Sequence, residues 1–279
     1  MAPEPFLYRG CAAHYLRGRP PYSEQLGEVL TRELGLSGNG TLVDVGCGPG
    51  VLAVQLAALF DDVIGIDPDA EMLAEAERHA VANGHPHIAW RRGYAEDIAA
   101  LGLPAARVVT FGQSFHWTDR ELVAASVYDL LSPGGALVAV THDIDARPEP
   151  RTRASADPPI PHGEIEDVIA GYLGADFRTR RVVSWQPSDR YEHALNRSRF
   201  GHARTVFAPG REGLTRDVDG VISGYLSMSY AAPHRFGDRL ESFVTAARSF
   251  LNVRTDTGRF SDWPGDTAVV IATKLEESE

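Results

Sequence analysis

The chain has 279 residues, 43% of them hydrophobic, enough for one large domain or a domain with a sizeable insertion. Its formal net charge of -11 argues against nucleic acid, since a protein that binds a phosphate backbone needs a basic surface. Two cysteines, Cys11 and Cys47, are too few for a disulfide framework, no apolar run approaches the roughly 20 residues that span a bilayer, and Met1–Gly10 lacks a signal pattern. A soluble cytoplasmic protein is therefore expected.

In chain order, Ser23 is placed to cap a helix through Leu26, Val29 and Leu30 that Gly35 ends. Thr41–Val45 is a short β-branched run that stops at glycine and reads as a buried strand, followed by an apolar helix over 51–60. Asp62–Asp67 is a second strand, ended by Pro68. Asp69 can cap the next helix, which Asn83-Gly84 closes. Ile88–Arg91, Arg107–Phe111 and Ala136–Val140 are the third, fourth and fifth strands, with a capping box at Thr118–Glu121 opening the helix that runs to Leu131. Strands alternating with helices at this spacing mean βαβ units and a doubly wound α/β sheet, with ligands outside the carboxyl ends of the strands. Beyond Thr141 the pattern weakens. A loop is expected over 145–163, a short helix over Glu164–Leu173, a strand over Phe177–Trp185, a mainly helical stretch over 189–253 and a last strand over Thr267–Lys274.

The strongest chemical signal is Asp44-Val45-Gly46-Cys47-Gly48-Pro49-Gly50 between a strand and a helix. Glycines there let the backbone approach a ligand closely. The dinucleotide pattern G-x-G-x-x-G is broken because the third glycine comes early and Pro49 removes an N–H, so an adenosine ligand without a pyrophosphate fits better. Asp67, about twenty residues on at a strand end, has the spacing of a carboxylate that accepts ribose hydroxyls.

The run 43–50, the Gly65-Ile66-Asp67-Pro68 turn, Gly93-Tyr94-Ala95-Glu96-Asp97 and Leu131–Gly135 resemble motifs of class I S-adenosylmethionine-dependent methyltransferases. Ser114–Trp117 and Trp263–Thr267 resemble the methyltransferase type 11 group of bacterial small-molecule enzymes. The resemblance implies a Rossmann-like seven-stranded sheet with its last strand antiparallel and a helical insertion before that strand. It divides a single methyltransferase domain, 1–279, into an N-terminal helical lid at 1–35, a cofactor-binding core at 36–187 and 258–276, and a substrate-recognition insertion at 188–257.

Carried over by position, the resemblance implies that Gly46, Gly48 and Gly50 line the methionine part of S-adenosylmethionine. Asp44 would reach its amino group, and Asp67, beside Pro68, would hold the ribose. Asp97 would meet the adenine amino group, with Tyr94, Ala95 and Glu96 in the same motif. Gln113 would line the reaction site. Tyr15, Arg19 and Tyr22 would belong to a segment closing over the cofactor, where a guanidinium near the methionine carboxylate makes a charge-assisted pair.

His116, between the fourth strand and the capping box, is the candidate general base or else part of the cofactor wall. Trp117, His142, Tyr225, Met228, Tyr230 and His234 are the candidate acceptor contacts. His142, Asp143 and Asp145 have ligand chemistry for Mg²⁺, but such a strand end is more often a polar loop, and no metal is assigned. The function expected is methyl transfer to a small molecule, with S-adenosylhomocysteine as product. The alternatives are a cofactor-fold protein without methyl transfer (a cyclase or binding module) and a nicotinamide oxidoreductase. With Lys274 the only lysine, the arginine-rich chain suggests a GC-rich bacterial genome and secondary metabolism.

Overall fold

The computed structural model describes residues 7–142, 156–174, 177, 191–263 and 265–275. Strands β1 (Thr41–Val45), β2 (Asp62–Asp67), β3 (Ala89–Arg92), β4 (Ala106–Gly112), β5 (Leu131–His142), β6 (Arg204–Ala208) and β9 (Thr267–Thr273) form one sheet in the order β3-β2-β1-β4-β5-β9-β6. Neighbours from β3 to β5 are parallel, and β9 runs antiparallel to both β5 and β6. A separate ribbon pairs β7 (Thr215–Asp217) with β8 (Arg259–Ser261).

Alternation along the central strands fills both faces of the sheet. Leu42, Val63, Val108 and Val138 pack on one side, while Val43, Ile64, Val109 and Leu137 pack on the other. Chain order reverses between β1 and β4, which opens a crevice at their carboxyl ends. The helices in this half match the sequence closely. Helix α2 (Leu26–Leu34) is entered from Gln25, whose N–H donates to Ser23 Oγ, so Ser23 holds the turn before the helix rather than capping it. Helix α2 ends at left-handed Gly35, α3 (Val51–Leu56) follows the glycine loop, and α4 (Ala70–Ala82) is capped by Asp69, which accepts from Glu71 N. Helix α5 (Arg120–Leu130) is capped by Asp119, accepting from Leu122 N, rather than by Thr118. Thr118 instead donates to Phe115 O, so it finishes the preceding turn.

The second half departs from expectation in two ways. The insertion is not wholly helical, because Thr205-Val206-Phe207 in β6 extends the sheet beyond β9, with Val206 against the core and Phe207 half exposed. Helix α6 (His162–Leu173), expected in the cofactor core, packs its Ile165 and Ile169 with Val221, Phe243 and Phe260 in a hydrophobic cluster of the insertion. Residues 178–185 of the expected strand lie outside the described residues, while Phe177 is buried in helical backbone. Among the described residues, no helix is long and apolar enough to cross a membrane.

The N-terminal helix α1 (Ala12–Gly18) crosses the helix Val218–Leu226 of the insertion at a glycine. A Cβ on Gly18 would lie 2.3 Å from the backbone of Ser223. Arg17 pairs with Asp217 at 2.9 Å, and Arg216 donates to Gly18 O. The N-terminal segment is thus bolted to the insertion. Gly18→Ala is expected to lose about 1–3 kcal/mol of stability through overpacking. Gly171→Ala, on an exposed face of α6 with nothing within 4 Å, is expected to gain up to about 1 kcal/mol. Thermal denaturation of the two variants reads both.

Candidate active site

A cavity of about 280 Å³ opens at the carboxyl ends of β1, β2, β3 and β4. Its walls include Gly46, Gly48, Asp67, Pro68, Ala95, Glu96, Gln113 and Trp117. A second space of about 30 Å³ adjoins it, sharing Tyr15, Gly46, Gly112 and Gln113 and adding Arg19, Tyr22 and Asp44.

Asp67 is buried, and both carboxylate oxygens accept backbone N–H bonds, from Gly48 at 2.8 Å and Asp69 at 2.9 Å. Burial raises its pKa to about 6 against those bonds. It therefore ties the glycine loop after β1 to the turn after β2. Each oxygen keeps a further lone pair for a ligand. Asp44 is fully enclosed, accepting from Thr110 Oγ1 at 2.8 Å and Ala53 N at 3.3 Å, and burial lifts its pKa to about 7.

The glycines serve different ends. Gly46 has φ 63°, and a Cβ there would press to 2.6 Å from Ser114 Cβ. Ser114 in turn donates to Val45 O at 2.6 Å, which fastens the loop to the end of β4. Gly48 has φ 52°, and a Cβ there would meet nothing within 4 Å, so its face is open to a ligand. Gly50 lines neither space. A Cβ there would strike Trp90 at 2.6 Å, so Gly50 packs against the sheet side rather than the cavity where the cofactor was expected.

Arg19 donates through Nη2 to Ser227 O at 3.0 Å and lies over the Tyr15 ring at 5.0 Å. Its Nε is sealed from solvent without a hydrogen-bond partner. A guanidinium in that state is built for an anion. Gln113 is the one non-glycine residue with positive φ among the described residues, at 51°, and its N–H donates to Val140 O at 2.9 Å. Strain of that kind collects at functional sites.

Several expected contacts lie elsewhere. Asp97 is exposed outside the cavity lining, because the 3₁₀ turn Ala95–Ala100 brings Glu96 to the wall instead. His116 does not line the cavity. The short turn Phe115–Trp117 aims its Nδ1 at the Tyr191 hydroxyl, 2.9 Å away, while Trp117 faces inward. Burial, aided by Arg120 and Arg19, holds its pKa down to about 4, so it is neutral at pH 7 and a weak base. His142 stacks on Tyr22 at 5.1 Å and backs the small space rather than lining it; Asp143 and Asp145 lie outside the described residues.

The insertion's candidates are packing residues. Tyr225 shares a hydrogen bond with His162 Nδ1 at 2.8 Å inside the insertion's cluster, and Tyr230 bonds Met228 Sδ and meets Phe177 edge-on. His234 Nδ1 is 3.1 Å from Arg9 O on the surface. These placements share a cause. The insertion uses its aromatic residues on its own core and holds the N-terminal segment, which reaches the cavity in its place. Leu7, Tyr8, Met72 and Arg92 were missed, and only Tyr8, close to the Tyr15–Tyr22 segment, gave any signal.

Residues 42–135 match the family described as Methyltransferase domain. Those residues form a methyltransferase domain of the class I S-adenosylmethionine-dependent type. It is 29% identical over 126 residues to the "Probable S-adenosylmethionine-dependent methyltransferase CRG1" of Saccharomyces cerevisiae, covering 44% of this chain and 43% of that protein. It is 35% identical over 100 residues to the ubiquinone biosynthesis O-methyltransferase of Cereibacter sphaeroides, covering 36% and 40%. The chain thus spans less than half the length of these relatives. The YcgJ protein of Bacillus subtilis shares the fold, with a TM-score of 0.50, 16% identity and coverage of 90% and 98%.

S-adenosylmethionine is the cofactor of this methyltransferase class, and the site fits it on two counts, the open face of Gly48 and the orphaned Arg19 Nε. The domain's buried Asp44 also sets a pH dependence. A carboxyl whose folded pKa is raised from 3.8 to about 7 stabilises the fold below pH 3.8, and that contribution is lost as pH rises toward 7. Relative to Asp44→Asn, the ligand-free wild type should lose about 1.4 kcal/mol per pH unit across this window, read by urea denaturation from pH 4 to 8. A flat difference between the two proteins would remove the burial-strained carboxyl.

Proposed function

We propose that this protein transfers a methyl group from S-adenosylmethionine to a small-molecule acceptor. The observation that carries this reading is the pairing of a carboxylate and a guanidinium at the two adjoining spaces, Asp67 in the larger and Arg19 in the smaller. In this reading Asp67 accepts from the ribose hydroxyls with its remaining lone pairs, and Arg19 meets the methionine carboxylate. Asp44 receives the amino group, and Ala95 and Glu96 face the adenine. Gln113, held in its strained backbone, borders the reacting centre.

The bound cofactor supplies an electrophilic methyl group on a sulfonium. The protein's part is to align the acceptor for in-line attack, and positioning can contribute roughly 7–11 kcal/mol in favourable cases. With His116 turned toward Tyr191, alignment rather than an imidazole base is the main device. The acidic net charge supports a small acceptor over nucleic acid. Both cysteines are free, which supports a reducing cytoplasm. The arginine-rich composition supports a bacterial source, and secondary metabolism is the setting proposed.

Calorimetric titration tests the assignment. S-adenosylmethionine and S-adenosylhomocysteine should bind, and NAD should not. Asp67→Asn should weaken S-adenosylhomocysteine by on the order of 1.5–3 kcal/mol. Preference for NAD, or wild-type affinity in Asp67→Asn, would overturn the reading. Arg19→Gln separates the two ends of the ligand. It should weaken S-adenosylhomocysteine at least about tenfold, the loss of one charge-assisted bond, yet leave 5′-methylthioadenosine, which has no carboxylate, unaffected. An equal loss for both ligands would place Arg19 away from the carboxylate.

A further inference from the structure

Resting on that reading, the chemistry of the cavity walls indicates which acceptor the site takes. Sheet order puts the ends of β2 and β3 on one side of β1 and the end of β4 on the other. The charged lining residues Asp67, Asp69, Arg92 and Glu96 all end or follow β2 or β3. Of these, Glu96 has its Oε1 engaged by Asp119 N at 2.9 Å.

The β4 side is different. It is walled by Leu7, Tyr8 and Tyr15 from the N-terminal segment and by Gln113, Ser114, Trp117 and Thr118 beyond β4, none of them charged. Tyr8 and Trp117 meet at 6.2 Å between ring centroids with their planes 89° apart. Two rings at right angles form a corner. A flat ring laid on the face of one presents its edge to the face of the other, and both are favoured arrangements for aromatic groups.

The corner is held from behind. Tyr8 packs with Tyr15 against the buried Cys11, Ala12, Met72 and Ala232, the last of them from the insertion. The imidazole of His116 packs on Trp117 at 4.9 Å and is itself fixed by Tyr191. Among the described residues lining this side none is cationic, and Arg19, behind Tyr15, is given to the methionine carboxylate, so an anionic acceptor gains no partner here.

We propose that Tyr8 and Trp117 form the acceptor wall and that the acceptor is an uncharged, planar aromatic molecule. Specificity then lies in the N-terminal segment and the turn after β4, with the insertion acting as the support that holds Tyr8 in place.

The test loads the protein with saturating S-adenosylhomocysteine and titrates three probes of similar size by calorimetry. These are 2-naphthol (planar, neutral), 2-naphthoate (planar, anionic) and 2-decalol (neutral, not flat). The expected order places 2-naphthol at least about tenfold tighter than either of the others, since a well-formed aromatic contact plus its burial is worth about that factor. Tyr8→Ala should lose about tenfold for 2-naphthol while keeping S-adenosylhomocysteine affinity, and Tyr8→Phe should keep both. Should Tyr8→Ala fail to fold, Trp117→Leu carries the same expectation. Equal binding of all three probes, preference for the anion, no binding of 2-naphthol, or an unaffected variant would overturn the acceptor wall alone. Failure of S-adenosylhomocysteine to bind would overturn the proposed function and this inference with it.

Discussion

One carboxylate joins the two loops on which the site depends. Asp67 ends β2, and its oxygens hold Gly48 N in the loop after β1 and Asp69 N in its own turn. Without that clamp, a loop containing three glycines at positive φ would be free to sample many shapes, and its N–H groups would have no fixed aim. The cost is visible in the raised pKa of a buried acid. Asp67 is therefore both a scaffold for the loop and a residue of the cavity wall, and Asp44, on the adjacent strand β1, shares the same burial penalty.

Across the crevice a second fastening does related work. Ser114 bonds Val45 O and leaves no room for a side chain at Gly46. Gln113 beside it is held in left-handed backbone by its bond to Val140 O. The ends of β1, β2, β4 and β5 are thus laced together by short polar contacts above a core that is apolar on both faces of the sheet.

The half of the chain built from βαβ units was legible because strand periodicity, β-branched runs and caps all point the same way there. Strands β1, β2 and β4, the glycine loop and Asp67 follow from local pattern. The count of seven strands and the antiparallel last strand came from the resemblance, and the order of the strands from the structure alone. What stayed hidden depends on tertiary choices. Glu96 and Asp97 are adjacent acids, and only the phase of a 3₁₀ turn decides which faces inward. His116 and Trp117 are separated in the same way. Strand β6 is five residues with a weak signal, and it exists because β9 offers it a partner edge. The aromatic residues of the insertion looked like a pocket because a pocket wall and a small helical core draw on the same side chains.

The glycine contact between α1 and the helix Val218–Leu226 gives the molecule a lever. Ser227, at the end of that helix, holds Arg19, and Ala232 shortly beyond it packs with Tyr8. A repacking of the insertion's core that tilts the helix by a fraction of an ångström would move a guanidinium and an aromatic ring together, while every residue on the sheet edge stays where it is. Divergence of such a protein toward new partners could therefore begin in side chains that never meet a ligand, remote from the crevice, and still be felt inside it.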